Sequence, residues 1–407
     1  MIERKKYINK IKNVFWVSKS VFLVWARQVW KTSLMKYILW ETKWFYINFD
    51  EIATLWVIEF NNLWEFINYI NSYFSIDIND FDILCFDEVI RIKNFNIILK
   101  WFIEKYPKIK TISSASWNYE IVWDIIDWLA GRIVKIEVFP LDFKEFLFFK
   151  WKNLDLNIMS ENIYKLIEND LFEYITFWSY PEVALENSFN NKKIILKSII
   201  DSIFEKDLRN FISQDKILDL KKLILYLSKN IWSLFSYEWL ASDLGLKLND
   251  VKKFIFLLEK SYLIFTINPF FTNKKAEYSK KQKIYFNNFW IVNYFTWNLD
   301  LKNIIDWKDV EETLFLNLRY NLEFNDNLFF YQKVNGSEID FILKRNWKIT
   351  PIEAKLSNKD IIPKIFNSFY EVYSKEIDYF IKSTKNINFT RDFNQTKVLW
   401  IPFYNIF

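Results

Sequence analysis

The most informative stretch for the fold class is Val21-Phe22-Leu23-Val24-Trp25-Ala26-Arg27-Gln28-Val29-Trp30-Lys31-Thr32-Ser33. Its first four residues predict a short buried strand, and residues 34–39 predict the start of a helix. With glycine in place of the two tryptophans, residues 25–32 would read GARQVGKT. That is the pattern of a phosphate-binding loop between a strand and a helix. As written, the stretch keeps only the Lys-Thr pair of the pattern.

Glycine and tryptophan occur in unusual numbers. The chain has 407 residues with 3 glycines and 20 tryptophans, whereas ordinary usage would give about 28 glycines. Together the two counts approach a normal glycine complement. The chain is otherwise rich in residues that AT-rich codons encode, so the G-rich tryptophan codon should be rare. We interpret many of the tryptophans as UGA codons that the source organism reads as glycine.

The sequence contexts of the tryptophans support this recoding hypothesis. Trp178 and Trp232 each precede a serine, and Trp347 lies between Asn346 and Lys348. These are turn contexts, in which glycine supplies a positive φ without steric cost. The alternative is a genuine aromatic-rich protein that uses tryptophan to fill its core. Recoding predicts that eight tryptophans lie in turns, at helix ends or against backbone: Trp25, Trp30, Trp117, Trp178, Trp232, Trp290, Trp307 and Trp347.

A phosphate-binding loop requires its backbone N–H groups to close around the ligand, so bulky side chains cannot stand at its bends. Lys31 would contact the β- and γ-phosphates, and the hydroxyl of Thr32 would bind Mg²⁺. The stretch therefore predicts ATP and Mg²⁺ as cofactors. The expected nucleotide contacts are Trp25, Ala26, Arg27, Gln28, Val29, Trp30, Lys31, Thr32 and Ser33.

Two later strands end in polar residues that suit the same chemistry. Residues 83–86 predict a buried strand that ends at Asp87 and Glu88. Asp87 would hold Mg²⁺, commonly through water, and Glu88 would orient the attacking water. The strand at residues 109–112 leads into serines, and the hydroxyl of Ser114 would sense the γ-phosphate. A solvated strand end is the alternative for Asp-Glu alone, but the three elements follow each other in the expected order.

Three further stretches carry a resemblance that spans nearly the whole chain. They are residues 87–92, 129–146 and 178–183. The chain thereby resembles a prokaryotic family of AAA-type ATPases that carry a carboxyl-terminal endonuclease-like domain of unassigned function. Trp178 again stands at a glycine, in the family's Gly-Gly-Tyr-Pro-Glu pattern.

The resemblance implies an α/β fold with several parts. It implies a P-loop NTPase core of the AAA type with a helical extension, a winged helix, and a carboxyl-terminal restriction-endonuclease-like α/β domain. The expected ranges are 1–150 for the P-loop ATPase domain, 151–230 for a helical lid or linker, 231–300 for the winged helix-turn-helix and 301–407 for the endonuclease-like domain.

The expected winged-helix segment combines a helix-turn-helix pattern with positive charge. Ser236 would cap a helix that ends before Gly245, and Asn249 would cap a second helix over residues 250–260. An extended run would follow, as in a winged helix. Residues 241–290 carry nine lysines against four acidic residues, which predicts DNA as a partner through phosphate contacts. The alternative is protein packing with a solvated lysine face.

The last segment predicts a second chemical site. Asp340 lies in an alternating strand, and Glu353 and Lys355 lie two residues apart in the next strand, so their side chains share a face. This arrangement looks like a restriction-endonuclease core, in which carboxylates bind Mg²⁺ and the lysine activates water or stabilises developing charge. Glu311 matches the family's first acidic position. A degenerate nuclease fold kept for binding is the alternative.

These expectations define two sets of functional residues. The expected metal ligands are Thr32, Asp87, Glu311, Asp340 and Glu353. The expected catalytic residues are Lys31, Glu88, Asp340, Glu353 and Lys355.

Composition bounds the remaining possibilities. A net charge of +5 is too small by itself to imply a polyanion partner. The single cysteine, Cys85, excludes a disulfide framework, and no long apolar run predicts a membrane span. We therefore expect a cytoplasmic ATPase that couples its nucleotide state to DNA binding and to Mg²⁺-dependent DNA cleavage. The alternative is a nucleotide-driven switch or docking regulator with an inactive nuclease-like domain, acting on a protein partner or as a homo-oligomer.

Overall fold

The computed structural model describes residues 4–17, 20–25, 34–35, 42–52, 58–115, 125–156, 161–177, 180–231, 233–270, 281–296, 300, 304–333 and 336–406. The chain divides into two compact units, Met1–Pro140 and Leu141–Phe407. The last three of the four expected ranges thus fall entirely within the second unit, and the first extends ten residues into it. Among the described residues, no helix has both the length and the apolar character needed to cross a membrane.

A five-stranded parallel sheet organises the first unit, with the order β2-β4-β6-β1-β7. Its strands are β1 (Ser20–Trp25), β2 (Trp44–Asn48), β4 (Ile83–Asp87), β6 (Lys110–Ser114) and β7 (Ile133–Val138). Two short strands, β3 (Ile58–Glu59) and β5 (Ile92–Lys93), form a separate parallel pair. All five residues of β4 are buried, as expected for a central strand of a parallel sheet.

Amphipathic helices pack against this sheet. In the helix Leu63–Phe74, the buried residues Leu63, Phe66, Ile67 and Ile70 recur at helical spacing. The side chain of Asn62 caps this helix by accepting a hydrogen bond of 2.9 Å from the N–H of Glu65. The other α-helices described in this unit are Lys5–Trp16, Phe49–Ile52 and Phe95–Lys105, with 3₁₀ turns at Ile78–Asp80 and Val89–Arg91.

The second unit begins with helices, as expected for residues 151–230. They are Phe143–Phe149, Glu161–Phe177, Pro181–Leu185, Phe189–Ser202 and Ile217–Lys229, with a π-helical turn at Ile203–Leu208 and 3₁₀ turns at Arg209–Phe211 and Gln214–Lys216. The helices described later in the unit are Tyr237–Leu244, Leu248–Lys260, Phe289–Thr296, Trp307–Tyr320 and Lys364–Tyr373. A 3₁₀ turn, Phe403–Asn405, follows the last strand.

One mixed sheet of nine strands spans the rest of this unit, in the order β15-β16-β14-β13-β12-β11-β9-β10-β8. The strands are β8 (Leu234–Phe235), β9 (Ile264–Pro269), β10 (Gln282–Phe286), β11 (Asn327–Gln332), β12 (Glu338–Arg345), β13 (Lys348–Glu353), β14 (Phe380–Thr384), β15 (Phe389–Phe393) and β16 (Thr396–Pro402). The parallel pairing of β9 with β11 joins the strands after the two-helix motif to the carboxyl-terminal strands. The ranges 231–300 and 301–407 therefore share a sheet.

The two-helix motif has the expected order with one correction. Ser236 caps the helix Tyr237–Leu244, which ends at Gly245 with a left-handed φ of 65°. The second helix begins at Leu248 with Lys247 at its N-cap position, so Asn249 lies inside the helix and does not cap it. The antiparallel pair β9 and β10 follows, with the short β8 beside β10.

The tryptophans of the recoding hypothesis occupy mixed environments. Trp347 is exposed in the turn between β12 and β13, and Trp307 is exposed as the first residue of its helix. Trp290, by contrast, is buried near a helix start, and its Nε1 has no hydrogen-bond partner within the described part of the chain. Outside the eight, Trp151 has a φ of 61° and is 82 % exposed. Trp30, Trp117, Trp178 and Trp232 lie outside the described residues.

Candidate functional site

Asp87 is buried at the carboxyl end of β4 and is held by three donors. The hydroxyl of Tyr46, on the neighbouring strand β2, donates to its Oδ2 over 2.7 Å. Its Oδ1 accepts hydrogen bonds from the hydroxyl of Ser114 and from the backbone N–H of Glu88, the latter over 3.1 Å. The side chain is therefore fixed in direction. Tyr46 was not predicted, because its role depends on which strand pairs with β4.

The strand order places Ser114 and the end of β1 at the same edge of the sheet as Asp87. β6 lies between β4 and β1, with Ser113 opposite Phe86 and Ser114 opposite Leu23. Proteins with an open parallel α/β sheet bind ligands beyond the carboxyl ends of the strands. This edge, which we call the Asp87 edge, includes Asp87, Ser114 and the end of β1 at Trp25. Residues 26–33, which include Lys31, Thr32 and Ser33, follow β1 directly and lie outside the described residues.

Glu88 has an uncommon backbone conformation. Its φ of 54° and ψ of 46° put it in the left-handed region, at the start of the 3₁₀ turn Val89–Arg91. A residue with a side chain is disfavoured there, and such strain persists where the surrounding structure imposes it, often at functional sites. The side chain of Arg91 anchors the turn through an ion pair of 2.5 Å with Asp50.

A second cluster of polar residues lies in the second unit, where β12 and β13 run side by side. The backbone N–H of Ala354 donates to Oδ2 of Asp340 over 2.7 Å. Lys355 lies two residues beyond the end of β13, and its Nζ is 2.9 Å from Oε1 of Glu353. The backbone of Lys355 is tied to Ser383 of β14 by two hydrogen bonds of 2.6 and 2.7 Å. Asp340, Glu353 and Lys355 are therefore neighbours.

Glu311 contacts two residues of β10, Lys283 and Tyr285, that the sequence does not mark as partners of this carboxyl group. Its Oε1 accepts a hydrogen bond of 2.8 Å from the hydroxyl of Tyr285 and lies 3.4 Å from Nζ of Lys283. The same ammonium group lies 3.5 Å from Oε2 of Glu338. Lys283 was counted among the phosphate-binding lysines, but it is only 2 % exposed, so it does not belong to the basic surface. The sequence feature that indicates a buried charge is the position of Lys283 next to the apolar residues 284–286 of the same strand.

Burial shifts the pKa values of the cluster. Burial raises the pKa of Glu311 and of Glu353 to about 7, and it also raises the pKa of Asp340. Burial alone would lower the pKa of Lys283 and of Lys355, but the neighbouring carboxylates together raise both. The carboxyl groups thus pay a desolvation cost on ionising, while both lysines stay protonated.

The expected metal ligands fit a metal ion only in part. Over the described ranges, no group of three or more histidine, cysteine, aspartate or glutamate side chains is placed to hold a metal ion. Oε1 of Glu311 contacts Lys283 and Tyr285. Glu353 retains a buried Oε2 without a hydrogen-bond partner within the described part of the chain. The charge of Asp340 acts on both Glu311 and Glu353, so the three expected carboxyl groups interact electrostatically, while one oxygen of Glu311 is already engaged.

We expect the stability of the protein to fall as the pH rises from about 5 to about 7.5. Glu311 and Glu353 have a pKa of about 7 in the folded state, so they keep their protons there over a pH range in which the unfolded chain has already lost them. The free energy of unfolding therefore decreases as the pH rises toward 7. The chain has no histidine, the usual group that titrates in this range. Thermal unfolding should show a decrease in Tm of about 5 °C.

Glu353→Gln and Glu311→Gln each remove one of these groups, so each should flatten the pH dependence of Tm. Glu371→Gln, an exposed carboxyl group in the same unit, serves as the matched control. A Tm that stays constant or rises over this range in the parent protein would contradict the assignment.

Three family models match successive parts of the chain. Residues 17–147 match a family model described as an AAA domain, and these residues include β1 to β7. Residues 168–302 match a domain of unknown function (DUF8612), and residues 310–404 match a second domain of unknown function (DUF4143).

Relatives and solved structures are similar to the chain at low identity. "Uncharacterized protein MJ1544" of Methanocaldococcus jannaschii is 28 % identical over 358 residues, which cover 84 % of this chain and 74 % of that protein. An uncharacterized protein of Haemophilus influenzae is 27 % identical over 200 residues, which cover 46 % of this chain and 48 % of that protein.

Among solved structures, the Walker-type ATPase paby2304 of Pyrococcus abyssi has 15 % identity and a TM-score of 0.45, covering 73 % of this chain and 96 % of that one. This likeness is too low to decide fold or function. The match to an AAA domain over the parallel sheet nevertheless supports a P-loop ATPase family for this chain.

Proposed function

We propose that the first unit binds ATP at the Asp87 edge and hydrolyses it. The observation that carries this proposal is the position of Asp87, which is buried at the carboxyl end of β4 and held by Ser114 and Tyr46. The chain leaves β1 at the same edge and enters residues 26–33, whose pattern is that of a phosphate-binding loop. The match of residues 17–147 to an AAA domain supports the same function.

Each residue of this site has a defined task in the proposal. Lys31 neutralises the β- and γ-phosphates, and Thr32 with Asp87 holds Mg²⁺, which neutralises charge on the phosphate oxygens. Glu88 orients the attacking water. Ser114 and Tyr46 keep the carboxylate of Asp87 in one orientation, so the ligand geometry is set before the nucleotide binds.

The recoding of tryptophan as glycine belongs to this proposal. Its support is the positive φ of Trp151 and the exposed turn position of Trp347. Trp290 is buried, which favours a genuine tryptophan at that position. With glycine at 25 and 30, the loop would have the backbone freedom that wrapping a phosphate requires.

We further propose that the second unit binds DNA through its two-helix motif. The helix Leu248–Lys260 buries Val251 and Phe254 against the unit, while Lys252 and Lys253 are exposed on its other side. Lys247, directly before this helix, and Lys281, directly before β10, are also exposed. Exposed lysines on a helix that follows a turn can contact phosphates as the helix approaches a groove.

If these lysines contact phosphates, DNA affinity should fall steeply as salt is added. Lys252→Gln/Lys253→Gln should lower the slope of log K against log salt by about 2, since each lost phosphate contact removes about one unit. Fluorescence anisotropy with a labelled duplex at several salt concentrations measures this. Lys105→Gln/Lys108→Gln, which changes two exposed lysines of the first unit, is the control and should leave the slope unchanged. Salt-independent binding would refute the proposal.

A second candidate function is a nucleotide-driven switch that cuts nothing and docks a protein partner or a second copy of the chain. The observation in its favour is that Oε1 of Glu311, an expected metal ligand, contacts Lys283 and Tyr285. DNA cleavage would instead use Asp340 and Glu353 for Mg²⁺ and Lys355 for the developing charge. Mg²⁺-dependent nicking that disappears in Lys355→Ala would decide for cleavage, and its absence would favour the switch.

A further inference from the structure

Lys283 is a buried lysine whose charge is compensated by residues far from it in sequence. It lies in β10 opposite Ile267 of β9, and only 3 % of its side chain is exposed. An ammonium group removed from water is strongly unfavourable unless opposite charges surround it. The position of Lys283 therefore requires a fixed set of anionic partners.

Those partners come from two other elements of the second unit. Nζ lies 3.4 Å from Oε1 of Glu311, on the helix Trp307–Tyr320, and 3.5 Å from Oε2 of Glu338, at the start of β12. It also lies 5.6 Å from the centre of the Phe330 ring on β11, which is within cation–π range. The ammonium group thus joins three strands and a helix at one point.

The ammonium group thus lies beside a carboxylate that the sequence predicts as a metal ligand. Glu311 was predicted as a metal ligand with Asp340 and Glu353, and carboxylate oxygens are the ligands that Mg²⁺ and Mn²⁺ prefer. The hydroxyl of Tyr285 also donates to Oε1 of Glu311, so two groups of β10 hold this carboxylate. The side chain of Glu338 is 36 % exposed, so ions from solvent can reach the cluster.

We propose that Lys283 is the resident cation of this cluster, and that its ammonium group takes the place of a divalent ion beside Glu311 and Glu338. The residues that would hold a metal are then already neutralised from within the chain. The second unit keeps the architecture of its carboxylate cluster without metal, and a divalent cation binds strongly only when the ammonium group is removed. This inference goes beyond ATP hydrolysis and DNA binding, which depend on other residues.

The test measures Mn²⁺ binding to the full chain without nucleotide, by the loss of the free Mn²⁺ signal in electron paramagnetic resonance. Lys283→Met should bind Mn²⁺ at least about tenfold more tightly than the parent. Its Tm should rise on adding Mn²⁺ while that of the parent stays unchanged. Lys344→Met, which removes a half-buried lysine from β12, is the matched control and should behave as the parent.

A second variant covers the case in which Lys283→Met does not fold, because it leaves carboxylates without their counter-ion. Lys283→Met/Glu311→Gln removes one negative charge as well and keeps Asp340, Glu338 and Glu353. It should fold with a Tm near that of the parent and gain less Mn²⁺ affinity than Lys283→Met, because one of the two carboxylates beside the ammonium group has been removed. The inference is overturned if the parent binds Mn²⁺ as tightly as Lys283→Met, or if neither variant gains affinity. ATP turnover and DNA binding, measured in parallel, test the proposed function separately.

Discussion

Glycine at positions 25 and 30 should raise the affinity of the protein for Mg²⁺-ATP by at least about a hundredfold over the chain as written. An indole at either position would crowd a loop whose backbone N–H groups must close around phosphate. Recovering even two of those charge-assisted hydrogen bonds is worth about 3 kcal/mol, which corresponds to roughly a hundredfold in affinity. Isothermal titration of Trp25→Gly/Trp30→Gly with Mg²⁺-ATP measures the change.

The matched control changes two tryptophans that are exposed on helices of the same unit. Trp64→Gly/Trp101→Gly carries the same chemical change away from the loop, and it should leave ATP affinity as it is in the chain as written. If the chain as written already binds ATP as tightly as the Trp25→Gly/Trp30→Gly variant, the tryptophans at the loop are genuine. The phosphate-binding interpretation of residues 25–33 would then lose its two glycines.

In the Trp25→Gly/Trp30→Gly background, Lys31→Ala and Glu88→Gln should separate binding from turnover. Lys31→Ala removes the cation expected at the β- and γ-phosphates, so ATP binding should be lost. Glu88→Gln keeps the size of the side chain but removes the carboxylate that orients water. It should bind ATP normally and lose at least about a hundredfold in kcat, the usual size of such a contribution. Titration calorimetry and a phosphate-release assay measure the two effects.

The control for these two variants is Lys93→Ala. Lys93 lies six residues after Asp87 in the sequence, is exposed, and forms a surface ion pair with Glu59. Exposed ion pairs contribute little, so its ATP binding and turnover should match the background. Tight ATP binding by Lys31→Ala would contradict the role of this loop. Unchanged turnover in Glu88→Gln would instead move the water-orienting function to another residue.

Local sequence patterns sufficed to predict the strands that carry the first site. Buried apolar runs predicted β1, β4 and β6, and the structure has them at Ser20–Trp25, Ile83–Asp87 and Lys110–Ser114. Local periodicity suffices for this, because a central parallel strand is apolar on both faces and ends where polar residues begin. The position of Asp87 at a strand end could therefore be predicted. The roles of Lys31, Thr32 and Glu88 remain predictions.

Which side chains contact each other depends on the tertiary structure. Tyr46 contacts Asp87 across 41 residues of sequence, because β2 pairs with β4. Lys283 meets Glu311 across 28 residues, and it does so inside the unit, although its charge alone suggested a surface position. Strand order and the packing of a helix against a sheet depend on contacts between distant segments, which local periodicity does not encode. The partner of a buried charge is therefore set by the fold, whereas the tendency to form a strand is set by the residues themselves.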